Sequence, residues 1–113
     1  MKIKPHRLRK NRHFQYIYRK GATVHSRFIT LVYAKTKIQP FKVGFSVSKK
    51  VGKSVVRSKV KRYLKSSFVL LGDSLPKDFN FIFVAKPGIE DLSFTQAKNE
   101  MASLISRLLK KQA

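Results

Sequence analysis

Hydrophobic residues recur at helical spacing in three segments of the chain. The first predicted helix runs from Asn11 to Lys20. Phe14, Ile17 and Tyr18 share one face of it, so that face can pack against other elements. Gly21 follows, and glycine is a residue type that commonly ends helices.

The second predicted helix runs from about Val55 to Leu71, and Gly72 and Pro76 end it. The residues expected on its buried face are Val56, Val60, Tyr63, Leu64, Ser67 and Leu71. The third predicted helix spans Ser93 to Lys111, with Ser93 as its N-cap. Its expected apolar face consists of Met101, Leu104, Ile105, Leu108 and Leu109.

Three other segments have the composition of strands. Arg27 to Lys37 is rich in β-branched and aromatic residues, and Phe41 to Ser48 alternates apolar with polar positions. The turn-forming stretch 38–40 separates them, which predicts that the two strands form a hairpin. Phe79 to Ala85 is continuously apolar, as expected of a central strand, and Ala22 to Ser26 is a weaker candidate for a short strand.

This order of elements predicts an α/β sandwich of the α+β kind, in which three helices pack on a single mixed four-stranded sheet. The expected order is α-β-β-β-α-β-α. A crossover through the second helix is expected to be right-handed on physical grounds alone. The length of 113 residues predicts one domain over residues 1–113, with residues 1–10 forming a basic, mobile N-terminal segment.

The charge changes this picture from a generic fold to a polyanion-binding protein. The formal net charge is +21, and the first 72 residues carry twenty Lys or Arg and no Asp or Glu. Such an imbalance indicates a phosphate polymer as partner. The chain has no apolar run of transmembrane length, no signal-peptide pattern and no cysteine. We therefore expect a soluble, cytoplasmic protein without disulfides.

The cations are densest in the stretch from Ser48 to Lys65, which contains no acid. A run of charge usually forms only a solvated helix face, but here no carboxylates are interleaved to pair with it. We therefore expect this loop and helix to bind nucleic acid, with Ser58 as an added hydrogen-bond donor. The expected cationic contacts are Lys49, Lys50, Lys53, Arg57, Lys59, Lys61, Arg62 and Lys65.

Phe14 and Tyr18 lie one turn apart on the basic first helix. Two such rings can stack unpaired bases, although aromatic residues at this spacing are also commonly part of a core. The pattern favours the core for Phe14 and a wet cleft for Tyr18.

The sequence offers no convincing catalytic constellation. No carboxylate precedes Asp73, whereas a metal-dependent nuclease holds its ions with converging carboxylates. His13 and His25 remain as candidates for metal-free acid–base chemistry in a protein-only nuclease. Gly52-Lys53-Ser54 resembles the end of a phosphate-binding loop, but Val47 stands where that motif requires glycine. We expect no catalytic residues and no metal site in this chain.

Several of these motifs occur together in one known family. The segments are Phe14–Gly21 (FQYIYRKG), Val43–Lys53 (VGFSVSKKVGK) and Arg57–Arg62 (RSKVKR), followed by the turn 85–87 and the final amphipathic helix. In this order and over nearly the whole chain, they resemble the bacterial ribonuclease P protein component.

The resemblance implies a role in RNA-catalysed chemistry. A large catalytic RNA would remove the 5′ leader of precursor tRNA with Mg²⁺ bound mainly by the RNA, and this chain would be its protein cofactor, one copy per RNA. The basic motif, Arg57 to Lys65 with the preceding loop, would contact the catalytic RNA. The leader would lie in a cleft marked by Phe14 and Tyr18. The family also implies a left-handed crossover.

Three positions depart from the family pattern. Ser58 replaces the usual Asn, and Lys59 and Lys65 replace Arg. Lysine keeps the charge but loses the bidentate geometry of a guanidinium group. A ribosomal or RNA-chaperone protein with no associated reaction is the alternative that composition leaves open.

Overall fold

A mixed β-sheet with helices on both faces forms the framework of the protein. The computed structural model describes residues 6–7, 11–38 and 41–112. The helices are α1 (Asn11–Lys20), α2 (Ser54–Leu71) and α3 (Phe94–Gln112). The strands are β1 (His6–Arg7), β2 (Ala22–His25), β3 (Ile29–Lys35), β4 (Lys42–Val47) and β5 (Phe79–Ala85), and short 3₁₀ turns occupy Gly72–Ser74 and Ile89–Asp91.

These elements confirm the predicted order of three helices and four main strands. The sheet order is β1-β4-β5-β3-β2, so a fifth, two-residue strand adds to the predicted four. This strand, His6–Arg7, pairs in parallel with the start of β4. The rest of the segment 1–10, which the sequence predicts to be mobile, lies outside the described residues.

The predicted hairpin between β3 and β4 is wrong. β5 lies between them, antiparallel to β3 and parallel to β4, and the hairpin of the sheet is instead formed by β2 and β3. The physical reason is that β5 is apolar on both faces and gains most from the central position. The crossover β4-α2-β5 therefore joins adjacent parallel strands, and its hand stays a prediction.

The main core lies between the sheet and the pair α2 and α3. Alternate residues of β3 and β5, such as Leu31, Phe81 and Phe83, are fully buried there against Leu64 and Leu104. Because side chains alternate along a strand, the residues between them point to the other face of the sheet.

Two details of the predicted helix faces need correction. Phe68 is 4% exposed and is part of the core, although it was not among the residues predicted for that face. Leu109 is 38% exposed, because it lies about 100° around α3 from the buried Leu108. The remaining predicted apolar residues of α3 are buried.

A smaller core fixes α1 on the opposite face of the sheet. Ile17 is buried there with Val32, Ala34 and Ile82. Gly21 ends α1, and its N–H donates to the Ile17 carbonyl at 2.7 Å. A Cβ at Gly21 would lie 2.7 Å from the Tyr33 carbonyl oxygen, so only glycine allows the chain to turn this tightly against β3.

Candidate nucleic-acid interface

The basic loop between β4 and α2 is anchored to the core by one residue. Val51 is 3% exposed, whereas the lysines around it are exposed to solvent. These lysines are Lys49, Lys50 and Lys53. Burial of Val51 therefore holds the loop while its cations face outward, as the sequence predicts.

The Arg57 side chain is hydrogen-bonded to the backbone of this loop. Its Nε donates a hydrogen bond to the Gly52 carbonyl oxygen at 3.2 Å, and the side chain is half-buried. The guanidinium group carries five N–H donors, so donors remain for a phosphate after this bond is made. Arg57 thus joins the loop to the first turn of α2.

The outward face of α2 forms a shallow groove of about 350 Å³. Its lining brings together four of the predicted RNA-binding residues and one further serine, namely Ser58, Lys61, Arg62, Lys65 and Ser66. None of the described residues that line this groove is acidic, and every one of these side chains can donate a hydrogen bond. Groups of this kind bind phosphates.

Lys59 does not line this groove. Its Nζ donates to the Glu90 carbonyl oxygen at 3.3 Å and lies 5.8 Å from the centroid of the Tyr63 ring. The Glu90 carboxylate makes a separate hydrogen bond, in which Oε1 accepts the Gly88 N–H at 2.6 Å. Lys59 therefore links α2 to the turn before α3.

Phe14 and Tyr18 lie on one flank of α1, above the sheet. Phe14 is half-buried against the smaller core, and Tyr18 is 45% exposed. Their different exposure agrees with the preference expressed from sequence. The orientation of each ring follows from its position, because Phe14 is closer than Tyr18 to the direction of the buried Ile17.

Beside this flank, part of the sheet is left uncovered. Thr30, Val84 and Ser46 form one row across β3, β5 and β4, and all three are half-buried. We call this row, with Phe14 and Tyr18, the shelf. Sequence reasoning did not select these three residues, although strand alternation places them on the same face as Val32 and Ile82.

The shelf is continuous with the basic loop. Ser46 lies on β4, and the chain passes from the end of this strand directly to Lys49 and Lys50. The two surfaces that the sequence predicts separately therefore meet at the carboxyl end of β4.

His13 and His25, the two candidates from the sequence, do not form a catalytic pair. The ring nitrogens of His25 lie 3.2 Å from Thr30 Oγ1 and 3.1 Å from Thr23 Oγ1, at the shelf end of the sheet. His13 lines a cavity near Lys35, at the other end of β3. Among the described residues, no three His, Cys, Asp or Glu side chains converge as metal ligands.

No helix within the described ranges has the length and apolar character needed to cross a membrane.

Comparison with known proteins points to one family. The family model described as Ribonuclease P matches residues 2–109. A ribonuclease P protein component from Caldanaerobacter subterraneus subsp. tengcongensis is 41% identical over 107 residues, which cover 95% of this chain and 92% of the relative. A protein of the same description from Nitratiruptor is 36% identical over 105 residues, covering 93% of this chain and 94% of the relative.

Solved structures of RNase P proteins are also similar to this chain. The Staphylococcus aureus RNase P protein superposes with a TM-score of 0.84 at 31% identity, covering 93% of this chain and 96% of that chain. A mutant of that protein, described as having defective mRNA degradation activity, gives the same TM-score and identity over 91% of this chain and 87% of its own. The Thermotoga maritima protein shares the fold, with a TM-score of 0.80 at 23% identity over 89% and 96% of the two chains. These matches cover nearly the whole chain, including the groove on α2 and the shelf, and they show that the chain belongs to the ribonuclease P family, as a protein component of that endoribonuclease.

Proposed function

We propose that this chain assists Mg²⁺-dependent, RNA-catalysed removal of the 5′ leader from precursor tRNA by binding both the leader and the catalytic RNA. The observation that carries the proposal is the continuity of the acid-free basic loop with the shelf that holds Tyr18. One surface attracts phosphates, and the other offers a ring and hydroxyl groups to unpaired bases.

The loop and the groove on α2 bind the catalytic RNA. Folded RNA presents closely spaced phosphates, and lysines and arginines on a rigid helix neutralise several of them together. Release of the condensed counterions then drives association. Lys59 contributes less directly than its neighbours, since its ammonium group is bonded to the turn at Glu90.

The shelf binds the leader. A single strand lying across Thr30, Val84 and Ser46 would meet hydroxyl groups and an apolar surface, neither of which selects one base strongly. Tyr18 stands at the edge of this row with 45% of its surface exposed, so it can stack on an unpaired base.

The chemistry belongs to the RNA, and the protein adjusts its surroundings. Mg²⁺ prefers oxygen ligands, usually carboxylates and phosphates. The stretch from Ser48 to Lys65 contains no carboxylate to hold the ion, so the RNA phosphates hold the metal. By screening repulsion between leader and catalytic RNA, the protein lowers the Mg²⁺ concentration that the reaction needs. One copy acts per RNA, in the cytoplasm.

The test is leader removal by the reconstituted complex. Catalytic RNA from a relative is incubated with precursor tRNA at low Mg²⁺, with and without this protein. We expect leader removal to be faster with the protein and the difference to shrink as Mg²⁺ rises. Equal rates with and without protein at every Mg²⁺ concentration would refute the proposal and favour a ribosomal or RNA-chaperone role.

A protein-only nuclease is the second candidate, because a mutant of the Staphylococcus aureus relative is described as having defective mRNA degradation activity. In this chain His13 on α1 lies near Lys35 and His25 on β2 lies near Thr30, at opposite ends of β3. This separation does not favour joint acid–base action. Under the nuclease hypothesis, replacing both histidines with Ala abolishes leader removal. Under the proposal made here, activity of the reconstituted complex is largely retained.

A further inference from the structure

A cavity opens on the flank of α1 that faces away from Phe14 and Tyr18. It has a volume of about 470 Å³ and lies over the other end of the sheet. Its walls include Tyr16, Ile17, Lys35, Lys37, Lys42 and Asn80. We call it the Tyr16 groove. Cavities of this size accommodate small organic ligands such as a single nucleotide.

One wall of the groove suits a planar base. The Tyr16 side chain is 50% exposed, although tyrosine gains free energy from burial of its ring. Ile17, which is 1% exposed, lies beside it at the base of α1 and is held by the smaller core. Ile17 thus fixes the helix, and the 71% exposed Ile38 adds apolar surface to the cavity. An exposed ring on a fixed helix is an arrangement on which unpaired bases stack.

The other walls carry positive charge and directed donors. Two lysines contribute charge to the cavity: Lys37, just after β3, is exposed, and Lys42, at the start of β4, is half-buried. Asn80 Oδ1 accepts the Lys42 backbone N–H at 2.7 Å, so its amide NH₂ is the group available to a ligand. None of the described residues that line the cavity is acidic.

The ion pair of Lys35 with Asp78 offsets little of the positive charge of the cavity. Lys35 Nζ lies 3.8 Å from Asp78 Oδ2, but the two side chains are 78% and 57% exposed. An ion pair so exposed is weak and is readily exchanged for a phosphate. The groove therefore combines a stacking surface with cations, which is the chemistry that recognises a nucleotide.

We propose that the Tyr16 groove binds an unpaired nucleotide in the distal part of the same leader, with its base against Tyr16 and its phosphate at Lys37 and Lys42. This inference rests on the proposed function, in which the proximal leader lies on the shelf. The shelf and the groove flank one helix, and an α-helix is about 10–12 Å across with its side chains. A single strand that leaves the shelf past α1 reaches the groove within a few nucleotides.

The test compares precursor tRNAs with leaders of increasing length, bound to the complex of this protein with a catalytic RNA. Tyr16→Ala is expected to weaken binding of long leaders about tenfold, the effect of losing one stacked base. Short leaders that fill only the shelf bind as before. Tyr16→Phe keeps the ring and restores long-leader binding. Lys37→Ala lowers the log–log salt slope for long leaders by about one.

Two controls separate this inference from the proposed function. Lys110→Ala removes one exposed cation of α3, outside both surfaces, and is expected to leave binding at every leader length unchanged. Tyr18→Ala weakens binding of short and long leaders alike, so failure of the shelf appears in the short-leader series and failure of the groove does not. A Tyr16→Ala effect that is equal at all leader lengths, or absent at all of them, would overturn the assignment of the groove.

Discussion

Two arginines of α2 that look equivalent in the sequence have different surroundings. Arg57 is half-buried, and its Nε donates a hydrogen bond to the Gly52 carbonyl oxygen. Arg62 is exposed and lines the groove on α2, with its guanidinium carbon 5.8 Å from the Tyr63 ring centroid. The first arginine thus shapes the surface as well as charging it. The second contributes charge and donors without holding the loop.

Alanine at these two positions is expected to separate the two roles. Both Arg57→Ala and Arg62→Ala weaken binding of the catalytic RNA, measured by filter binding. Only Arg57→Ala also lowers the free energy of unfolding, by about 1 kcal/mol, because it removes a bond between a charged donor and a loop carbonyl. Urea unfolding followed by circular dichroism, in a sulfate buffer, measures this.

Arg57→Lys is the matched control, since it keeps the charge and loses the Nε donor. It is expected to lose stability as Arg57→Ala does and to retain more of the RNA affinity. Equal stabilities of the Arg57→Ala and Arg62→Ala proteins would show that the bond to Gly52 does not matter in solution.

The cations of the site were predictable from the sequence, but the hydrogen-bond partners that some of them have in the fold were not. A run without acids identifies the basic helix, because charge composition is a local property. That Lys59 turns toward Glu90 depends on where the turn before α3 packs, which no local pattern encodes. The Tyr16 groove depends in the same way on the placement of α1 against β3 and β5.

The helix α2 presents its cations correctly only because its inner face is fixed. Phe68 is central to this, with its ring edge-on to Phe45 and Phe83 at centroid distances of 5.9 and 5.8 Å. Ser67 is also fully buried, and its Oγ donates to the Tyr63 carbonyl at 2.7 Å, so no polar group is left unsatisfied there.

Phe68→Ala is expected to destabilise the protein by about 3–5 kcal/mol, because it leaves a cavity between α2 and the sheet. Thermal unfolding in sulfate measures the change. Val69→Ala is the matched control on the same turn, where a side chain that is 53% exposed is removed at a cost below about 0.5 kcal/mol. Similar losses in the two variants would contradict the packing of α2 described here.

The three helices and the four main strands were predictable to within a few residues, whereas the two-residue β1 and the pairing of the strands were not. The bounds of α1 and β5 follow from local signals, such as Gly21 after the helix and the apolar run of the strand. The hairpin of β3 and β4 was a reasonable expectation from adjacency. It failed because β5, some thirty residues beyond β4 in the chain, competes for both edges and buries more apolar surface between them.

The whole molecule carries a net charge of +21 on 113 residues, with a radius of gyration of 13.1 Å. Compaction brings these cations close together, so the folded state suffers more self-repulsion than the unfolded chain. Anions that bind the folded surface offset this repulsion by mass action.

The free protein is therefore expected to gain helical circular dichroism when sulfate or phosphate is added at low salt. Sodium chloride at the same ionic strength is the control for screening alone, and it is expected to have a smaller effect, since it lacks an anion that several donors can bind together. A spectrum that does not respond to either anion would contradict the role assigned to self-repulsion.

The central position of β5 affects how this protein is made. Synthesis delivers the N-terminal residues first, so both β3 and β4 leave the ribosome before the strand that joins them. Until Phe79–Ala85 follows, the 21 Lys and Arg residues of positions 1–78 are exposed together with the two strand edges that later pair with β5. Contacts this distant in sequence form slowly. The sheet can therefore close only after β5 has been made, that is, after residue 85 of 113, and until then the nascent chain is a polycation without its central strand.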